Sequence, residues 1–142
     1  MRRTEVFRQQ HKELLELVGQ IDKLLKPGEL AIDSSPVSQL LPVLSGKLRL
    51  HLKAEDKALY PVLINHQDET LRALALKYQK QMGGLAGKYE EYAQRWHTKA
   101  SIEMSAEAFV KETKAVFQAL GERIAREDNE LYELYDKAES AL

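Results

Sequence analysis

In four long stretches of this chain the apolar residues return every third or fourth position, and almost nowhere do they alternate with polar ones. That period puts them on one side of an α-helix, whereas a half-buried strand needs a period of two. A first helix is predicted from Thr4 to Leu25, with Phe7, His11, Leu14, Val18 and Ile21 on one face. Lys26-Pro27-Gly28 stops it. A loop through Asp33, Ser34 and Ser35 then leads to Pro36, which suits the first turn of a second helix after a serine cap. That helix reaches Ile64, with a kink expected at Pro42 and a further irregularity at Pro61. A polar connection, Asn65 to Asp68, precedes a third helix from Glu69 to Trp96, with Leu71, Leu74, Tyr78, Met82, Leu85, Tyr89 and Tyr92 inward. The fourth runs from Ser105 to Lys137 and turns Phe109, Val116, Leu120, Arg123, Glu127, Leu131 and Leu134 inward. Four long amphipathic helices with short connections argue for an all-α, antiparallel, up-down-up-down four-helix bundle. The 142 residues suit a single domain over 1–142.

Composition narrows the function. The formal net charge is −1 and no dense basic run occurs, so there is no electrostatic case for nucleic acid or an anionic membrane. Cysteine is absent, which removes disulfides, thiolate metal sites and cysteine nucleophiles together. No long apolar stretch follows Met1, so neither a signal peptide nor a membrane span is expected and a cytoplasmic location is. A protein partner or a homo-oligomer is compatible with this composition, and the sequence identifies neither.

Two inward positions of the second helix are polar. His51 and Glu55 stand four apart, about one turn, so both side chains leave the same face. Leu44, Leu48, Leu59 and Val62 share that face. Buried polar groups need partners: a metal ion, a counter-charge or each other. His11 and Glu127 lie at matching depth on helices one and four. Two imidazoles and two carboxylates suit one divalent ion such as iron, manganese or zinc. A satisfied hydrogen-bonded core is the competing reading.

The chain also carries a weak internal repeat. HLKAEDKALY at 51–60 returns as RIAREDNELY at 123–132, an offset of 72 positions. Glu55-Asp56 matches Glu127-Asp128, Leu59-Tyr60 matches Leu131-Tyr132, and His51 falls on Arg123. Helices one and three align at an offset of 71, which puts His11 on Met82. Tyr60 and Tyr132 are expected as core residues with their hydroxyls at the bundle rim, and Tyr78 as core packing. His66 and His97 are expected in solvent. Gly83, Gly84 and Gly87 sit mid-helix beside Met82, which predicts either a close approach leaving room for Arg123, or a break in helix three.

His11 in helix one, HLKAEDKALYP in helix two and the Glu-Asp-x-x-Leu-Tyr echo in helix four together resemble the hemerythrin-like, HHE cation-binding family, over nearly the whole chain and in the same helix order. The resemblance implies a four-helix bundle around a carboxylate-bridged di-iron centre, in proteins that bind or sense oxygen, handle iron, or respond to nitric oxide and redox stress. It places the histidine ligands of one iron at His11 and His51, and the bridging carboxylates at Glu55 and Glu127. The histidines of the second iron would come from helices three and four, where this chain has Met82 and Arg123. A thioether is a poor ligand for hard iron, and a guanidinium stays protonated. The expectation is therefore a divergent member with a degenerate site, its metal ligands His11, His51, Glu55 and Glu127, and no ligand at Met82 or Arg123.

Arg123 leaves two outcomes open. It replaces only the lost ion, and one iron or other divalent ion remains; or it satisfies both carboxylates and no metal binds. Coulomb repulsion between a guanidinium and a nearby ion favours the second. Three functions match these outcomes: a binding or sensory module that is not an oxygen carrier, a metal-free protein-interaction or regulatory bundle, and a mononuclear non-haem iron enzyme. No catalytic residue is assigned.

Overall fold

A computed structural model describes residues 3–141. Those residues form helices joined by short turns, with no strand among them. The chain makes four long helical runs, as the apolar period demands, and their ends and interruptions carry the detail. The first run is α1 (Arg3–Asp22), which buries Phe7, His11, Leu14 and Ile21. Three residues earlier than expected it gives way to a turn. Pro27 then starts a short helix, α2 (Pro27–Ile32), in a stretch the sequence read as loop. Proline lacks an N–H and fits the first turn of a helix, so Pro27 starts α2, while α1 has already ended at Asp22.

The second run is α3 (Ser35–Ala54), a π-helical turn (Glu55–Leu59) and α4 (Tyr60–Ile64). Its cap is Ser34, one residue before the expected start; Asp33 Oδ1 accepts from the Ser35 N–H at 3.0 Å. Pro42 is accommodated inside α3. The third run is broken: α5 (Glu69–Met82) and α6 (Leu85–Arg95) are separated by Gly83-Gly84. A Cβ on Gly83 would stand 2.4 Å from the Gln79 carbonyl oxygen, whereas Gly84 and Gly87 face nothing within 4 Å. Gly83 thus serves the break, and none of the three marks a close approach between helices. Another short helix, α7 (Lys99–Met104), precedes the fourth run, which is α8 (Ala106–Arg126), a second π-helical turn (Glu127–Leu131) and α9 (Tyr132–Ser140).

Side-chain pairs fix how the runs pass each other. Thr4 donates to Asp136 at 2.8 Å and Arg8 to the Asp128 carbonyl at 3.0 Å, so runs one and four are antiparallel. Arg126 donates to Gln81 at 3.0 Å while Tyr92 meets Thr113 at 2.7 Å, so runs three and four are antiparallel too. The fold is an all-α bundle. Its apolar core comes in two parts. One holds Leu14, Leu44, Leu48, Tyr92, Phe109 and Leu120; the other holds Phe7, Leu59, Leu63, Leu71, Tyr78 and Leu131. Between them lies a layer of buried polar groups: His11, His51, Glu55, Arg123 and Glu127. Val116 and Leu134, expected inward, are only half-buried, and Phe117 and Tyr135 take those places. Past Glu127 the reason is the π turn, whose wider loop holds one residue more than an α turn and so rotates α9 about its axis. No helix among the described residues is long and apolar enough to cross a membrane.

Candidate metal centre

Both π turns begin at a glutamate of the repeated motif. The Tyr60 N–H bonds to the Glu55 carbonyl and the Tyr132 N–H to the Glu127 carbonyl, five residues back in each case. Pro61 follows only the first turn, and Glu133 stands at the matching place in the second. Proline is therefore not the common cause; the shared Glu-Asp-x-x-Leu-Tyr pattern is. π turns recur at functional sites, and here each delivers a fully buried carboxylate and a buried tyrosine to the same layer. The tyrosines are exchanged between the copies. Tyr132 donates to Glu55 Oε2 at 2.5 Å, and Tyr60 donates to Glu127 Oε2 at 2.9 Å. Neither hydroxyl is at the rim, where it was expected; tyrosine buries its ring and its O–H together when an acceptor is in reach. Burial raises both phenols above their ordinary range, and the adjacent carboxylates raise them further, so both stay protonated donors.

Arg123 points inward and is almost fully buried. Its Nε lies 3.2 Å from Glu127 Oε2, and its Nη2 lies 3.3 Å from Glu55 Oε1 and 3.7 Å from Asp56 Oδ1. Nη1 donates to the Met82 carbonyl at 3.2 Å, at the end of α5 where the helix stops. The position that aligns with His11 thus contributes a backbone oxygen and not its thioether. Burial alone would lower the Arg123 pKa, but the charges of Glu127 and Glu55 outweigh it and hold the guanidinium more firmly protonated. The cation faces the Tyr60 ring at 5.8 Å.

The other half of the layer is made by the histidines. The two rings meet edge to face with centroids 4.6 Å apart, and His11 stacks on Tyr132 at 5.6 Å. In each ring Nδ1 is occupied: His11 by Asp128 Oδ1 at 2.8 Å, His51 by Gln10 Oε1 at 2.6 Å. Because both partners are acceptors, both Nδ1 atoms carry the hydrogen, and both Nε2 atoms are turned to the core. There His51 Nε2 lies 2.8 Å from Glu55 Oε1, and His11 Nε2 lies 3.2 Å from Glu127 Oε1 and 3.7 Å from Glu55 Oε2. Yet neither Nε2, nor Glu127 Oε1, makes a hydrogen bond. The nitrogens are close to the oxygens but off the line that a straight N–H···O bond requires.

One donor atom from each of His11, His51, Glu55 and Glu127 lies within 4.8 Å of the others. Ligands at about 2.0–2.2 Å from a shared ion span a comparable distance. Three buried atoms without hydrogen bonds converge in this group, and the donor set suits a divalent first-row metal. Outer acceptors that fix the tautomer of a ligating histidine are a regular feature of metal sites, and Asp128 and Gln10 stand in that relation here. The charge balance points the same way. Glu55 and Glu127 bring two negative charges and Arg123 one positive charge, so the layer needs more positive charge. Without a metal, a proton supplies it. Burial works against the His11 imidazolium, but the Nδ1 hydrogen bond to Asp128 and the Glu127 and Glu55 carboxylates beside Nε2 outweigh it and lift His11 to about 11. Burial, with the neighbouring charge of Glu55, raises Glu127 to about 7, while His11 and His51 overcome the burial of Glu55 and hold it well below the usual carboxylate range.

The hemerythrin HHE cation-binding domain model matches residues 2–135. The chain belongs to that family. No curated protein and no solved structure matches it. The hemerythrin-like assignment accounts for the intact side of the layer, where the four residues expected as ligands do come together. On the other side of the layer Met82 lends its carbonyl to Arg123. Sequence reasoning missed Gln10 and Asp128. Asp128 had a signal, since the Glu-Asp pair is repeated at 55–56 and 127–128. His66 was expected in solvent and is half-buried, its ring accepting from the Asp68 N–H at 3.0 Å; His97 is exposed as expected.

Proposed function

We propose that this hemerythrin-like domain is a binding or sensory module whose centre takes one divalent ion, iron first among the candidates, on His11, His51, Glu55 and Glu127. The observation that carries the reading is the convergence of three buried atoms without hydrogen bonds, His11 Nε2, His51 Nε2 and Glu127 Oε1, in a layer one cation short. Arg123 is a permanent charge in the other half, held by both carboxylates. It limits the centre to one ion by occupying the space and by repelling a second. A bound metal would supply Lewis acidity and, if it is iron, a one-electron redox couple. Reversible oxygen carriage draws an electron from each of two irons, so a one-ion centre is a sensor or store and not a carrier. The residues around it have separate tasks. Asp128 and Gln10 hold the imidazole tautomers, Tyr60 and Tyr132 hold one oxygen of each carboxylate, and Phe7 and Leu59 keep water out on one side. We read the chain as one cytoplasmic domain.

A second reading has its own observation. Arg123 and a proton on His11 together neutralise Glu55 and Glu127, so the layer is also self-consistent as a metal-free structural core of an interaction bundle. Anaerobic loading with ferrous iron, followed by removal of excess and elemental analysis, separates the two. One iron per chain, lost in His51→Ala, is the expected result. A ratio near zero leaves the metal-free bundle, and a ratio near two overturns the role given to Arg123.

A further inference from the structure

Between the second and third helical runs the bundle is open to the surface. Two hollows of about 200 and 320 Å³ lie end to end there, sharing Arg49 and Tyr89 as lining. Small residues on the facing helices leave the space: Ser45 on α3, Ala86 and Ala93 on α6. Ser45 also meets the Tyr89 hydroxyl at 2.7 Å, which holds that ring across the floor. The lining runs along one side of the chain from Ser38 to Lys57, roughly 28 Å at a helical rise. The shape is long and narrow, which suits an extended chain and not a compact ring.

Chemistry selects the kind of chain. The floor of the larger hollow is Leu48, Leu52 and Tyr89, and its border carries Arg49, Lys53 and Lys57. The α3 wall has no acidic residue between Ser35 and Ala54. Asp56 and Glu90 are the acids on the border. Glu90 crosses the groove to Arg49, its Oε2 3.0 Å from Nη2. Both partners of that pair are about half exposed, so an incoming carboxylate can take the place of Glu90 at little cost.

We infer that this groove binds a fatty carboxylate, with the alkyl chain along Leu48, Leu52 and Tyr89 and the carboxylate on Arg49 and Lys53. The guanidinium offers a two-pronged donor matched to a carboxylate, and Lys53 adds a second charge. The site shares none of the four candidate metal ligands and touches that layer only through Asp56, which faces Arg123, so it is tested separately from metal binding.

The probe is dodecanoate, kept below its critical micelle concentration. Trp96, the one tryptophan of the chain, lines the far end of the smaller hollow and reports binding by its emission. The expected result is saturable binding of one dodecanoate per chain, followed by Trp96 emission and by calorimetry. Each pair of methylenes removed weakens it roughly tenfold, since burial of a methylene is worth a near-constant amount. Dodecanol binds at least tenfold more weakly than dodecanoate, and Arg49→Gln removes that difference. Ala86→Phe fills the groove and abolishes binding, while circular dichroism and metal content stay as in the parent. Absence of saturable binding overturns the inference, as does binding that survives Ala86→Phe or does not distinguish alcohol from acid. Sedimentation with dioleoylphosphatidylglycerol vesicles without binding of monomeric dodecanoate also overturns it.

Discussion

Arg123 is held by Glu55, Glu127, Asp56 and the Met82 carbonyl at once, and it is buried. Removing one partner from a buried charge network costs more than the network contributes, because the charges left behind lose their compensation. Arg123→Ala is therefore expected to destabilise the metal-free domain by about 3–5 kcal/mol in urea unfolding. Arg126→Ala, on the exposed side of the same turn, should stay within about 0.5 kcal/mol. Equal losses would mean that the buried guanidinium does not compensate the carboxylates. Tyr132→Phe tests the crossed pairs at the same scale. It leaves Glu55 Oε2 without its 2.5 Å donor and should cost about 1–3 kcal/mol. At this scale much of the site was legible. His51 and Glu55 are one turn apart in the sequence, and the Arg123-Glu127 echo comes from reading the repeat. The helical period put Arg123 on the inner face, but a side chain that long can still snorkel out, so the burial of its guanidinium is shown only by the structure.

The long helices follow from the apolar period, but their interruptions do not. Each π turn inserts one residue without changing the composition of the stripe, so Glu55–Leu59 and Glu127–Leu131 read as ordinary helix. The short helices Pro27–Ile32 and Lys99–Met104 are six residues each, too few for a period to show; they are fixed by burying Leu30 and Ile102. The third run shows the reverse case, where glycine marked a break that the structure then made. Gly83 has helical φ and needs no left-handed freedom; it needs the missing Cβ, which would collide with the Gln79 carbonyl. Gly83→Ala should accordingly cost about 1–3 kcal/mol as an overpacked contact. Gly84→Ala and Gly87→Ala, which meet nothing, should be neutral or stabilise by up to about 1 kcal/mol through helix propensity. Thermal unfolding of the three variants side by side checks this. A milder effect at Gly83 than at Gly87 would show that the break tolerates a side chain.

For the molecule as a whole, the repeated motifs at 51–60 and 123–132 meet in one polar layer. Their tyrosines still cross, each to the other copy's glutamate, while histidines serve one side and Arg123 with the Met82 carbonyl the other. Placing histidines on that second side tests whether the two motifs are equivalent. Arg123→His combined with Met82→His should raise ferrous iron from one to two per chain in anaerobic loading. A double variant that binds no more than the parent would show that the helix-three position cannot reach the centre. The apolar period determined that this chain forms a helical bundle, and the motif spacing determined which family it belongs to, because both are local properties of a helix face. How the polar layer is laid out was decided only in three dimensions. It depends on where α5 stops, on the wider turns that bring Glu55 and Glu127 together, and on the inward turn of Arg123. Each of these is settled by burial and charge balance across helices far apart in the chain, which no local pattern records.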